Sequence, residues 1–418
     1  MTTWSRPGRR WLVLWGAAAL IRLALMPFTL HMDAYQVYSR AAEAAYDGEW
    51  FGWTAQLLIQ TIHNVWLLII RPLLPDSAGI WSPTASEAGV GASMTDYRGF
   101  MEYEYLHRAI FLMKLPYFVA DLLCAYLLTR LVEPARRFTA AAFWLLNPLV
   151  IYATAIFGRH DVLAILLVLL ALLAARRATD SGRLVGLVLL GAATLMRFFP
   201  AVIVPYYLIA FRRSRRQLIA AVAILGGLWA TVELVGIAGT GDSPTLEILN
   251  THEHFQNWLD AGVRLRFDDF IFFFPLAYLL GLLWISERDL LPEEFPRVAA
   301  CVYLLLFGLT FFHPHWAIWL VPFLAMTIPA DRRMLAYHGL QLLTLAVYAM
   351  QWGSWTTWEV LRPSIGDRVA SLPDPYEAIA ARIEPRQFFG VFRSLLTAVS
   401  LWMIWKLAAP LRARRPHA

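Results

Sequence analysis

Stretches without a single charged side chain recur from one end of the chain to the other, among them Val162 to Ala175, Leu218 to Thr231 and Met334 to Trp352. A helix needs about twenty apolar residues to cross roughly 30 Å of hydrocarbon. In lipid, only helices and closed barrels satisfy every backbone N–H and C=O, and these runs lack the two-residue alternation of a barrel strand. The chain therefore reads as all-α, a polytopic bundle of transmembrane helices. Charged residues make up 16% of it, against about a quarter in a soluble domain.

The formal charge of +6 does not point to nucleic acid. The arginines gather in short tracts between the apolar runs, as they do in cytoplasmic loops under the positive-inside rule. Cys124 and Cys301 both lie within apolar segments, which argues against a disulfide framework or a thiolate metal site. Arg6, Arg9 and Arg10 precede an apolar run from Trp11 to Phe28 that contains Arg22, and no small-residue cleavage site follows. It reads as a retained anchor rather than a cleaved signal peptide.

With that N-terminus placed in the cytoplasm, hydropathy predicts about twelve spans, at 11–28, 108–130, 138–157, 160–176, 183–197, 198–211, 218–237, 270–285, 298–312, 315–329, 334–352 and 388–407. This count puts both termini and the tracts around Arg130, Arg136 and Arg137, Arg176 and Arg177, Arg212 to Arg216, and Arg332 and Arg333 on the cytoplasmic side. The apolar stretch Leu57 to Leu74 carries His63, Asn64 and Arg71. A further span there would invert every later loop, so it is expected to lie along the outer interface. The long loops at 29–107, 238–269 and 353–387 then fall on the extracytoplasmic side, with Trp50, Trp53, Trp81, Trp258, Trp355 and Trp358 in or beside them as interface anchors. Residues 1–418 form one integral membrane domain, with no internal repeat.

Topology sorts the polar residues by side. His31 and Asp33 follow the first span. Gly158-Arg159-His160-Asp161 turns between the third and fourth, Arg197 stands between the fifth and sixth, and His313-Pro314-His315 between the ninth and tenth. The central loop carries His252, Glu253, His254, Arg264, Arg266, Asp268 and Asp269. All of these fall on the extracytoplasmic face. An Asp just past a helix is also an ordinary cap for the next one, and loop polar residues are commonly plain solvated surface. The charged turn at 158–161 is harder to explain that way, because ionisable groups at membrane depth are expensive and usually functional. Arg22, Lys114, Asp121 and Glu233 lie within spans. Lys114 and Asp121 are spaced to share one helix face, and Arg22 is expected to pair with Asp121 as a structural contact.

An external carboxylate, several arginines and access from lipid suit group transfer from a lipid-phosphate donor. An attacking hydroxyl needs a carboxylate to take its proton. Cleaving an ordinary glycoside needs a second carboxyl group to protonate the leaving alkoxide, whereas a phosphate leaves as a stable anion and instead requires cationic donors such as Arg.

The segment His31-Met32-Asp33-Ala34-Tyr35-Gln36-Val37-Tyr38 resembles the first-loop acidic motif of the GT-C glycosyltransferases, multi-span enzymes that use polyprenyl- or dolichyl-phosphate sugars. The likeness is to the branch that mannosylates glycosylphosphatidylinositol. Lys114-Leu115-Pro116 with Asp121-Leu122-Leu123, Asn147-Pro148 leading to Phe157-Gly158-Arg159-His160-Asp161, Arg197-Phe198-Phe199-Pro200, and His313-Pro314-His315-Trp316 to Pro322-Phe323-Leu324 are similar to later elements of that superfamily. The resemblance implies a large GT-C fold with Asp33 as catalytic base. His31, Tyr35, Arg159, His160, Asp161, Arg197, Arg264, Arg266, His313 and His315 are then candidates for substrate binding. With Met at 32 and His at 31, an Asp-x-Asp metal motif is unsupported, so no cofactor is expected. The partners expected are a polyprenyl-phosphate sugar donor, a lipid, glycan or protein acceptor, and membrane lipid, with no nucleic acid.

The function expected is transfer of a hexose, such as mannose, to an acceptor on the extracytoplasmic side of the cell membrane, with inversion. The alternatives are a transporter or flippase of lipid-linked sugars, or a lipid-linked glycan ligase or phosphotransferase. A transporter commonly shows repeats and polar residues near the midplane. Here no repeat is visible and the polar clusters share one face.

Overall fold

The computed structural model describes residues 8–51, 56–81, 94–177, 179–211, 214–251, 258–266, 269–288, 290–329 and 331–412. Arg6, Trp53, Arg212, Arg213, His252, Glu253, His254 and Asp268 lie outside them. The chain folds as α1 (Arg9–Leu25), α2 (Met32–Ala42), α3 (Leu57–Ile70), α4 (Met94–Met101), α5 (Leu106–Leu131), α6 (Arg137–Leu145), α7 (Pro148–Ile151), α8 (Asp161–Ala175), α9 (Asp180–Met196), α10 (Val204–Phe211), α11 (Arg215–Thr240) and α12 (Pro244–Thr251). A hairpin of β1 (Gly262–Arg264) and β2 (Phe270–Phe272) follows, Gly262 pairing with Phe272. Then come α13 (Phe273–Ser286), α14 (Phe295–Leu309), α15 (Val321–Thr327), α16 (Arg332–Ala349), α17 (Arg362–Ile365), α18 (Pro375–Ala380) and α19 (Pro385–Arg412).

Helical structure stands over each predicted span, but length differs among the helices. Arg9–Phe28, Leu106–Leu131, Arg215–Thr240 and Pro385–Arg412 are long and apolar enough to cross a membrane, and Pro134–Leu145 with Pro148–Phe157 forms a fifth candidate bent by 48°. The remaining apolar helices are shorter or broken. The predicted span at 270–285 opens as strand β2 and becomes helical only at Phe273.

Local chemistry explains the breaks. The Asn147 side chain caps α7 by accepting the N–H of Leu149 (3.0 Å), and Pro148 occupies the first helical position, where its missing N–H costs nothing. Thr179, Ser214 and Asp331 cap α9, α11 and α16 in the same manner. Of α11, only Ala221 and Gly236 are buried. A helix apolar on all sides and left uncovered by protein is one that lipid covers.

Between such helices apolar burial gives little drive, because lipid tails are as apolar as leucine; close packing and polar contacts set the register. Gly186 shows the closeness: a Cβ there would lie 2.7 Å from the Ala171 carbonyl of α8 and 2.2 Å from the Tyr207 hydroxyl of α10. The polar pin is the pair expected from the sequence. Arg22 Nε donates to Asp121 Oδ2 (2.6 Å), and the same carboxylate accepts from Trp144 Nε1 (2.7 Å) and Thr154 Oγ1 (2.8 Å). With Arg22 Nη1 also on the Leu145 carbonyl (2.9 Å), this contact ties α1, α5, α6 and the segment after α7 together. Helix α3 packs on α2 and α9, burying Gln60, His63 and Asn64 while Val65 and Ile69 remain exposed. That single apolar open face suits a helix lying along an interface.

Candidate active site

The turn at 158–161 is built by an irregular helix end. After α7 the chain widens into a π-helix, Tyr152–Phe157, which Gly158 closes in the left-handed region at φ 82°. Such π-turns leave carbonyls without intrahelical partners. Lys114 of α5 supplies them, donating from Nζ to Ala155 O (2.8 Å), Ile156 O (2.9 Å) and Thr29 O. One buried ammonium therefore fixes both the segment before Asp33 and the segment before Arg159. Gly158 is required twice over, since a Cβ would sit 2.9 Å from Lys114 Cε and the backbone lies where L-residues are strained. Gly158→Ala is expected to destabilise by about 2 kcal/mol and to lower activity, read as a reduced thermal midpoint in detergent together with initial rates.

Four charged side chains meet above this turn. Asp33, in the first turn of α2, accepts from Arg159 Nη1 at Oδ2 (2.8 Å). Arg159 Nε reaches Asp161 Oδ2 (3.4 Å), and Asp161 Oδ1 accepts from Arg197 Nε (3.2 Å) and Trp319 Nε1 (2.8 Å). Arg197 Nη1 donates in turn to Gln56 Oε1 (2.9 Å). The two carboxylates differ in environment. Asp161 is fully buried and shared among three donors, whereas a third of the Asp33 side chain is exposed. Asp161 is thus the hub of the cluster and Asp33 its lip.

His31 caps α2. Its Nδ1 lies 3.2 Å from both the backbone N and Oδ1 of Asp33. It accepts the Asp33 N–H when its own proton is on Nε2, and donates to the carboxylate when that proton is on Nδ1. Burial by itself would raise the Asp33 carboxyl, but the His31 imidazole and the Arg159 guanidinium outweigh it and hold the group well below the usual carboxylate range. Asp33 is therefore ionised throughout the neutral range. Burial pushes His313 down to about 4, so its imidazole is neutral there.

The imidazoles form a connected wall. His31 stacks on Phe157 (ring centroids 3.7 Å apart), Phe157 on His315 (4.3 Å), and His315 lies 5.9 Å from His313. His160 is buried edge-on against His63 (5.4 Å). Both nitrogens of His315, and Nε2 of His31 and of His160, are buried without a hydrogen-bond partner. They are donors and acceptors ready for hydroxyl groups. Among the described residues, no group of His, Cys, Asp or Glu is arranged to hold a metal ion.

The structure thus brings together His31, Asp33, Arg159, His160, Asp161, Arg197, His313 and His315, and leaves three candidates apart. Tyr35 is fully buried in the core, its ring among Trp81, Tyr97 and Phe100 and its hydroxyl donating to Ile80 O (3.0 Å). It neighbours Asp33 in sequence but projects from the opposite side of α2. Arg264 and Arg266 are exposed on the hairpin, outside this cluster.

Sequence reasoning missed Gln56, Trp319 and the double clamp of Lys114. It also missed a stripe on α2: Asp33, Gln36, Arg40 and Glu43 are partly exposed while the residues between them are buried. Their spacing of three and four residues is the helical period, so this signal was legible.

Fold and site together define a helical membrane protein with a carboxylate and guanidinium cluster beside its apolar helices. Residues 106–267 match the model of glycosyltransferase family 87, and the protein is a glycosyltransferase. The matched segment holds the Arg159–Asp161 turn and Arg197; Asp33 and His315 lie outside it. No curated protein sequence matches the chain.

Proposed function

We propose that the enzyme transfers a hexose, such as mannose, from a polyprenyl-phosphate sugar to an acceptor hydroxyl on the extracytoplasmic side of the cell membrane, inverting the anomeric carbon. In this reading the chain crosses the membrane about twelve times, several of the spans being short or bent, and both termini are cytoplasmic. The likeness to the mannosyltransferases of glycosylphosphatidylinositol assembly belongs to the same proposal.

The observation that carries it is the contact between Asp33 and Arg159. A partly exposed carboxylate that can take a proton and a guanidinium that can receive a phosphate oxygen stand 2.8 Å apart. The acceptor oxygen bonds to the anomeric carbon from the face opposite the phosphate, and its proton passes to Asp33. The bond from carbon to phosphate oxygen breaks, and its electron pair leaves with the phosphate, which needs no acid to depart. At rest the two arginines are balanced by the two aspartates. An arriving phosphate competes with Asp33 for Arg159, and as Arg159 turns towards it Asp33 becomes a stronger base. Asp161, itself held by Arg197 and Trp319, keeps Arg159 in place. The unpartnered nitrogens of His160 and His315 are suited to sugar hydroxyls.

The test supplies purified protein with a panel of polyprenyl-phosphate sugars and measures release of polyprenyl phosphate. If Asp33→Asn released it as fast as wild type, Asp33 would not be the base.

The pH profile tests the coupling of Asp33 to Arg159. Removing the cation with Arg159→Gln takes away one of the groups that hold the Asp33 carboxyl down against burial, while His31 remains. The acid limb of kcat/KM is therefore expected to move to higher pH, by roughly one to three units for the loss of a neighbouring opposite charge. A limb that stays in place in the residual activity would show that Arg159 does not set the ionisation of Asp33.

A further inference from the structure

The hairpin of β1 and β2 stands outside the charged cluster, and the transfer reaction does not use it. Successive residues of a strand point to opposite faces. Val263 pairs with Ile271. Leu265 continues the ladder by donating its N–H to Asp269 O (2.9 Å), and the Phe273 N–H reaches Ala261 O (2.9 Å). One face of the ribbon therefore carries Val263, Leu265, Ile271 and Phe273, whose exposures run from 40% to 62%. Arg264 and Phe270 pair on the other face, where Phe270 stacks on Phe272 (5.6 Å). Arg264 is exposed there, and Arg266 is exposed at the turn that follows. The ribbon is thus amphipathic, wholly apolar on one face and charged along the other.

Two requirements fix where such a ribbon can sit. Four large apolar side chains standing side by side in the open form the kind of patch that marks an interaction surface. Yet a two-stranded sheet is all edge, each strand having one side with no strand beside it. Hydrocarbon would leave those edge N–H and C=O groups unsatisfied, and open sheet edges do not occur there. The head-group layer of a membrane meets both needs, with water and polar groups for the edges and acyl chains below for the apolar face. Arginines suit the same layer, their stems lying on apolar surface and their charge in the polar zone.

Continuity selects lipid over a protein partner. The hairpin runs directly into α13, of which only Phe274 and Ile285 are buried while Leu276, Leu279, Leu280 and Leu283 are exposed. Like α11, this is a helix for lipid to cover, and Phe273 belongs both to it and to the apolar face of the ribbon. Trp258 fixes the base of the hairpin, packing on Phe274 (5.8 Å) and on Phe198 (5.2 Å), the residue after Arg197.

We propose that the hairpin lies in the head-group layer of the bilayer, on the side of the bundle that carries Arg197, with Val263, Leu265 and Ile271 turned into the acyl boundary. Its partner is the lipid surface itself.

Leu265→Cys, Ile271→Cys and Arg264→Cys, each in a Cys301→Ser background, are labelled with the fluorophore NBD on the full chain in phosphatidylcholine nanodiscs. The labels at positions 265 and 271 are expected to emit further to the blue than the label at 264 and to resist quenching by aqueous iodide. A nitroxide near the lipid head group should quench them more than one at the end of the acyl chain. On the unmodified chain, phosphatidylcholine with a diazirine near its head group should crosslink to the peptide that contains Val263 and Ile271. Iodide quenching as strong at 265 and 271 as at 264 would place the ribbon in water and overturn the proposal. Shelter from iodide and both nitroxides, as a second copy of the chain would give, would overturn it too. Stronger quenching from the chain end would put the ribbon in the hydrocarbon core, against the proposal, and so would a crosslinker that misses the peptide. None of these readings depends on transfer activity, so the hairpin and the reaction stand or fall separately.

Discussion

Asp33→Asn is expected to lower kcat by about a thousandfold, within the usual range for losing a positioned general base, while donor KM changes little. The substitution keeps the size of the side chain and an oxygen for Arg159 but removes the group that takes the proton. A third of Asp33 is exposed, and Arg159 keeps the amide oxygen and the Asp161 carboxylate as partners, so the thermal midpoint in detergent should fall far less than in a variant that removes Asp161. Single-turnover release of polyprenyl phosphate measures the chemical step directly. A fall confined to KM would assign Asp33 to binding and leave the base to be found elsewhere.

The second large effect is structural. Asp161→Ala removes a fully buried carboxylate that accepts from Arg159, Arg197 and Trp319. Two buried guanidiniums are then left with less compensation, and breaking a buried ion pair from one side costs about 3–5 kcal/mol. A clear drop in thermal midpoint and in the yield of monodisperse protein is expected, with activity lost alongside. Asp161→Asn keeps the Trp319 hydrogen bond and should be intermediate. If Asp161→Ala were as stable as wild type and merely inactive, Asp161 would touch substrate rather than support Arg159. Comparison with Asp33→Asn therefore separates the hub of the cluster from its lip.

The placement of these two aspartates shows how much was readable beforehand. Their residence beside apolar runs followed from the sequence, as did the pairing of Arg22 with Asp121, because a charge within a span needs a partner and few are on offer. The division of labour was not readable. Asp33 and Asp161 look alike along the chain, and only packing exposes one and buries the other. Tyr35 was misplaced for a related reason: adjacent helical residues point in different directions, and proximity in sequence was read as proximity at the site. Gln56 and Trp319 carried no signal of their own, since an amide before a helix and a tryptophan in an apolar segment are both ordinary there. The stripe of Asp33, Gln36, Arg40 and Glu43 did carry one, in its helical spacing.

What the sequence determined by itself is the class of molecule: apolar helices with charged tracts and polar turns between them. Lipid imposes those features locally, residue by residue, so they survive without knowledge of the fold. The tertiary structure alone decided the chemistry of the cluster. Asp33 and Arg159 are 126 residues apart in the chain, and Asp161 and Trp319 158 apart. Which of them meet, and which carboxylate keeps contact with solvent, depends on how the helices pack, through Lys114 on the carbonyls before Gly158 and through Gly158 itself.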